Sequence, residues 1–222
     1  MQRSITTALV ALSVVVPTHA AELSDTGRRF VLTTPDGWTN EATPGEPVAL
    51  VIASPRVAET RGNCNVVVTP NSLGGRSQSE VDKIADEAVN NEAFWKSVMA
   101  TVTMFKSSKV ETFGARDQNG RKVFFAKVTS DAVVGNVSAT VTQVQDMHPT
   151  PGTTFGLTCT ALAQTFALET ADFDAIRYSF KPDLGLTVAW NRAPVYPAAV
   201  RGATARFTRD AFTAGVMRAA RR

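Results

Sequence analysis

Histidine is almost missing from this sequence, with two in 222 residues (His19 and His148), and cysteine is as scarce, with Cys64 and Cys159. His19 falls in an opening segment that reads as a removable leader, so His148 is the one imidazole of the body. A Ser-His-Asp or Cys-His site needs a base held by an orienting partner within hydrogen-bond reach. His148 sits instead in a proline-flanked stretch, His148-Pro149-Thr150-Pro151-Gly152, which reads as a solvated turn. One histidine and no close Cys or His pair exclude a zinc site of the usual type. Gly74-Gly75-Arg76 precedes a helix start but lacks the lysine of a phosphate loop, and reads as an ordinary loop. The acids Asp82, Asp86 and Glu87, interspersed with Lys83, read as a solvated helix face, and Asp117, Asn119 and Asp131 do not reproduce a calcium-loop spacing. No cofactor is expected.

Long apolar runs are absent too. The longest, residues 5–16, follows Arg3 and ends at Pro17 before the small-residue pattern Thr18-His19-Ala20. That order of charge, apolar core and small residues is the pattern of a secretory leader, expected over residues 1–20. It is shorter than the roughly 20 apolar residues a membrane-spanning helix needs, and no later segment is a better candidate. The expectation is therefore an exported chain, periplasmic or secreted, without a transmembrane segment after cleavage. In an oxidising compartment an even pair of cysteines reads first as a disulfide, Cys64 with Cys159, the alternative being two buried free thiols.

Negative charge is scarce in the last part of the chain. Residues 184–222 hold seven arginines against one acid, Asp210, whereas residues 21–183 hold 15 Lys and Arg against 19 Asp and Glu. Three parts follow: the leader, a body over residues 21–183, and a basic tail over residues 184–222 interrupted by Pro194 and Pro197. Residues 184–200 read as a linker or an irregular strap over the body. Residues 209–222 read as a final helix with a narrow apolar stripe, Phe212, Val216 and Ala220, beside Arg209, Arg218, Arg221 and Arg222. Such a helix suits an anionic membrane surface or an acidic envelope partner, the alternative being a solvated arm or one folded back on the acidic body. Export argues against nucleic acid.

The body reads as strands joined by tight turns around one long helix. Residues 29–33 form a strand closed by Pro35-Asp36-Gly37, and residues 48–53 and 64–69 are further β-branched strands. Ser77 and Glu80 stand in capping-box spacing, and Val81, Ile84, Ala85, Ala88, Phe94, Trp95, Val98 and Met99 continue one helix from there. Residues 109–113 and 122–130 flank the hairpin turn Asp117-Gln118-Asn119-Gly120, and residues 137–147 and 153–162 make a second hairpin. A short helix over residues 171–179, capped by Thr170, ends the body. Cys64 shares strand alternation with Val66 and Val68, and Cys159 with Phe155 and Leu157, so both thiols point into one layer. The class is α+β, a mainly antiparallel sheet sandwiched by helices.

Thr34-Pro-Asp-Gly-Trp38, then Asn63-Cys-Asn-Val-Val-Val-Thr-Pro70, a long helix, a strand meander and a closing Phe173, Ile176, Ser179-Phe180 resemble the PsbP-like superfamily, which includes DcrB/LpqN-type bacterial envelope proteins. The resemblance implies an α/β/α sandwich and a non-enzymatic binding or assembly role through protein surfaces. Two other readings stand beside it. One is a carrier of a small or lipidic ligand in a pocket between sheet and long helix, lined by Phe94, Trp95, Phe124 and Phe155. The other is a carboxylate-dependent hydrolase, which would need two acids converging with raised pKa values.

Overall fold

A computed structural model of the chain describes residues 20–182, apart from residues 26, 28 and 135. Seven antiparallel strands form the main sheet: β3 (Thr39–Glu41), β4 (Val48–Ala53), β5 (Asn63–Pro70), β6 (Phe105–Gln118), β7 (Arg121–Val134), β8 (Val137–Thr150) and β9 (Thr153–Leu162). Their order across the sheet is β3-β4-β5-β9-β8-β7-β6. A small sheet of β1 (Ala21–Ser24), β2 (Phe30–Thr34) and β10 (Lys181–Pro182) lies apart from it. The helices are α1 (Val57–Thr60), α2 (Gln78–Val89), α3 (Glu92–Ala100), a 3-10 turn (Ala163–Leu168) and α4 (Thr170–Ser179). The expected α+β class is the one found.

Alternation sorts the strand residues into two cores. Cys64, Val66 and Val68 of β5 face Cys159, Leu157 and Phe155 of β9 in direct register. On that side they bury against Phe30, Leu32, Phe173, Ile176 and Phe180 from the small sheet and the α4 region. Phe124, Ala126 and Val128 of β7 point the other way, with Met147, and bury against Ala85, Trp95, Val98 and Met99 of α2 and α3. The expected bridge is present: Cys64 and Cys159 sit opposite each other, bonded at 2.03 Å and wholly buried.

Local chemistry explains the boundaries. Asn119 and Gly120 take φ values of 53° and 74°, the pair of positive angles a two-residue type I′ hairpin requires. Ser77 and Glu80 form the expected capping box, with the Ser77 N–H donating to the Glu80 carboxylate at 2.8 Å. The single long helix does not form. Asn91 adopts an extended conformation and its side chain accepts from the Phe94 N–H at 2.9 Å, starting a second helix. Asparagine competes with the helical ladder and serves well as an N-cap, so the apolar periodicity continues across a break. Thr170 does not cap α4 either. It is the first helical residue, its hydroxyl donating to the Phe166 carbonyl at 3.2 Å, and the cap position belongs to Glu169.

His148 is the largest departure from expectation. β8 runs on through Thr150, and the turn is made by Pro151 and Gly152, the latter at φ 79°. Pairing of β8 with β7 ends at Met147, so Pro149 lies where β8 is laddered on the β9 side. His148 thus faces the core opposite Phe155 and is 4% exposed.

Candidate binding groove

The side of the sheet that carries α4 is closed over β5 and β9 and open over β6 and β7. Between those strands and the 3-10 turn and α4 runs a groove of about 880 Å³. Its floor includes Thr112, Phe125, Lys127, Thr142 and Val144, and its wall Phe166, Thr170, Asp174 and Tyr178.

One end of the groove is an ion-pair cluster that ties α4 to the sheet. Asp146, projecting from β8, is fully buried and accepts from Arg177 Nη2 at 2.8 Å, Arg177 Nε at 3.1 Å and Arg116 Nη1 at 3.0 Å. A further Arg116 nitrogen, Nη2, donates to its other oxygen. Arg177 also donates to Asp174 at 2.9 Å. Burial alone would raise the Asp146 carboxyl, but the hydrogen bonds and charge of the two arginines outweigh it and hold it below the usual carboxylate range. Gln118 donates to the carbonyls of Arg177, Tyr178 and Phe180 at 3.0–3.2 Å, satisfying the exposed C-terminal end of α4. The Arg116 guanidinium lies 4.9 Å over the Tyr178 ring and 5.6 Å over Phe125, and Tyr178 is 57% exposed. At the other end Lys127 pairs with Glu111 at 3.0 Å and lies over Phe166. The Thr129 hydroxyl and Lys127 hold Glu111 below its ordinary range.

A second clamp lies behind α4. Glu169, fully buried, accepts from Ser54 Oγ at 2.8 Å, Thr60 Oγ1 at 2.5 Å and Arg56 Nη2 at 3.0 Å, while Arg56 also reaches Asp172 at 2.7 Å. It anchors the groove wall to α1 and β4.

His148 packs against Phe180, the two rings tilted with centroids 4.6 Å apart, and burial lowers its pKa to about 4. Its unfolded value is near 6.5, so between these two values the unfolded chain binds the extra proton and stability falls as pH falls. The expected result is a loss of about 2 kcal/mol between pH 7 and pH 5 from this residue, flattened in His148→Gln, measured by urea unfolding at each pH.

The structure places the other sequence candidates plainly. Asp82 and Asp86 meet Lys122, Asp86 at 2.8 Å, while Glu87 is exposed on α2. Among the described residues, every carboxylate with a displaced pKa (Glu80, Asp86, Glu111, Asp131 and Asp146) is displaced downward, the opposite of what the hydrolase reading needs. The four aromatics expected to line a sheet–helix pocket do not share one. Phe94, Trp95 and Phe124 fill the α2–α3 core, and Phe155 lies on the opposite face of the sheet against Phe30. Among the described residues no group of three or more His, Cys, Asp or Glu could hold a metal ion, and no helix is long and apolar enough to cross a membrane. The tail candidates Arg209, Phe212, Val216, Arg218, Arg221 and Arg222 lie outside the described residues. The groove and its Arg116–Asp146–Arg177 end were not anticipated. The available signal was an acid in the alternating run of residues 141–147, on the same strand parity as Val144.

No protein-family model and no curated protein matches the chain. Solved structures with a related path include the cyanobacterial PsbP (CyanoP) of Synechocystis sp. PCC 6803, at 16% identity and TM-score 0.49, covering 79% of this chain and 99% of that one. LpqN, involved in cell envelope biogenesis of Mycobacterium tuberculosis, is similar at 14% identity and TM-score 0.40, covering 73% of this chain and 90% of that one. A Bacteroides thetaiotaomicron protein follows at 10% identity and TM-score 0.44, covering 75% of this chain and 50% of that one.

Proposed function

We propose that this chain is an exported, extracytoplasmic binding or assembly protein that works through its surfaces, without catalysis or a cofactor. The observation that carries the reading is the groove: an open concavity whose rim presents an exposed tyrosine stacked on an arginine that is itself locked in place. Aromatic residues and arginine are enriched where proteins meet, and pre-ordered side chains lose little entropy on binding. The commitment of the reactive groups to the fold supports the same reading. Both cysteines are bridged, His148 is packed in the core, and Asp146 and Glu169 are saturated with donors.

The open, ion-paired lining suits a polypeptide segment better than a carried lipid, which would call for an enclosed apolar cavity. The basic tail, through Arg209, Arg218, Arg221 and Arg222, is a second contact region for an envelope partner or an anionic membrane. Cross-linking and capture of the exported protein in cells distinguishes the two regions. A captured partner lost about tenfold or more in Tyr178→Ala places the contact on the groove, as expected for a hot-spot side chain. Loss in a variant with the four tail arginines changed to glutamine, with Tyr178→Ala unaffected, places it on the tail. The protein found alone in every native fraction contradicts the proposal.

A further inference from the structure

β6 is the last strand of the main sheet, and among the described residues no strand pairs with its outer side. An open edge is a template for another chain, and proteins blunt such edges with lysine and with bulges. The two halves of β6 differ in this respect. Over residues 105–111 the register with β7 shifts, at Phe105/Ser107 and again at Val110/Thr112, and Lys106 and Lys109 stand exposed. Over residues 112–118 the register is unbroken and there is no lysine. The arginine in that half, Arg116, is bonded to buried Asp146. The two-residue turn at Asn119-Gly120 makes Gln118 and Arg121 the first hydrogen-bonded pair, so Arg116, Gly114 and Thr112 also bond to β7. The main-chain N–H and C=O groups of Phe113, Ala115 and Asp117 therefore point away from the sheet, and all three residues are exposed.

Gly114 lies opposite Phe125, on the groove side of this stretch. A Cβ at Gly114 would lie 3.2 Å from Phe125 Cζ, so the ring reaches across the glycine towards the sheet edge. We infer that the polypeptide segment held by the groove adds to the outer edge of β6 as an antiparallel strand over residues 112–118, with an apolar side chain over Gly114 against Phe125. The inference rests on the groove reading and names how the occupant binds. Antiparallel addition continues the pattern of every pair in the main sheet. The added residue opposite Gly114 belongs to a closely spaced, non-hydrogen-bonded pair, and its side chain enters the groove mouth between Thr112 and Arg116. Arg116 already directs its guanidinium at Asp146 and Gln118, so that side chain needs no charge. A second copy of this chain fits less well. Self-pairing over residues 112–118 is centred on Ala115, sets Phe113 of each copy opposite Asp117 of the other, and supplies about six main-chain hydrogen bonds where a stable interface has about ten. The occupant is an uncharged extended segment of a different protein.

Residue-by-residue amide exchange of the full chain tests this, with a defined probe. The probe is a capped peptide of alternating threonine and valine around a central phenylalanine, with a lysine at each end. Exchange at Phe113, Ala115 and Asp117 is expected to slow about tenfold at saturating peptide, with the amides of Thr112, Gly114 and Arg116 unchanged. N-methylating the two threonines beside the phenylalanine is expected to abolish the effect, because their N–H groups face β6, and N-methylating the valines to leave it intact. No slowing at about 5 mM peptide overturns the inference, as does equal binding by both methylated forms. Perturbation of Phe125 and Tyr178 with the three amides unprotected overturns the added strand and leaves the groove reading standing. Protection that rises with protein concentration, without peptide, assigns the edge to a second copy and overturns it too.

Discussion

Asp146→Asn is expected to destabilise the protein by about 3–5 kcal/mol, seen as a lower urea midpoint with an unchanged denaturant slope. The magnitude follows from what the substitution leaves behind. Arg177 and Arg116 have side chains only 9% and 16% exposed, and each directs hydrogen bonds at this one carboxylate. An amide carries no charge and one acceptor oxygen, so Arg116 would remain under the groove wall without its counter-charge and Arg177 would keep only the half-exposed Asp174. The pH dependence has a definite sign. The carboxyl is held below its unfolded value, so its stabilisation is fully present above about pH 4 and is lost as pH falls through the folded value. Asp146→Asn removes that acid-side slope, while the slope between pH 6.5 and pH 4 that His148 produces remains. The loss also bears on binding, because Asp146 and Gln118 are the ties that fix α4 beside β6.

Replacing both cysteines by alanine is expected to cost a similar amount, about 4–5 kcal/mol. The bridge closes a segment of 95 residues, and loop-closure entropy of that length corresponds to about 4.7 kcal/mol in the chain-entropy account. Strands β5 and β9 are central to the main sheet, so unbridged chains would need to form that pairing across the full segment without help. Both sulfurs are wholly buried, so reductant should leave the folded protein intact at low denaturant and lower the unfolding midpoint once the chain opens. Equal midpoints for oxidised and reduced protein would show that the bridge contributes nothing.

What could be read in the sequence was local chemistry: the type I′ hairpin at Asn119-Gly120, the capping box at Ser77 and Glu80, and the alternation that put both cysteines in one layer. What could not be read depends on register between distant segments. Asn90-Asn91 looks like a polar interval in one apolar period, and its capping geometry exists only once α3 turns away. Pro149 and Pro151 read as punctuation around His148, but β7 ends its pairing at Met147 and leaves room for a proline in β8. The groove is the extreme case. Arg116, Asp146 and Arg177 lie about 30 residues apart in succession, and only the β6-β7-β8 register and the return of α4 bring them together. An acid inside an apolar alternation indicated that something buried must pair with it, without indicating what.

On the function proposed above, the groove beside Tyr178 is the working surface of the protein. Its most direct test is a benzophenone photo-cross-linker placed at position 178 and, for comparison, at position 137, a similarly exposed site (57% and 60%) on β8. Illumination of living cells producing each form should give a discrete protein adduct from position 178 and none from position 137. The same adducts from both positions, or none from position 178 while the tail still captures a partner, would contradict it.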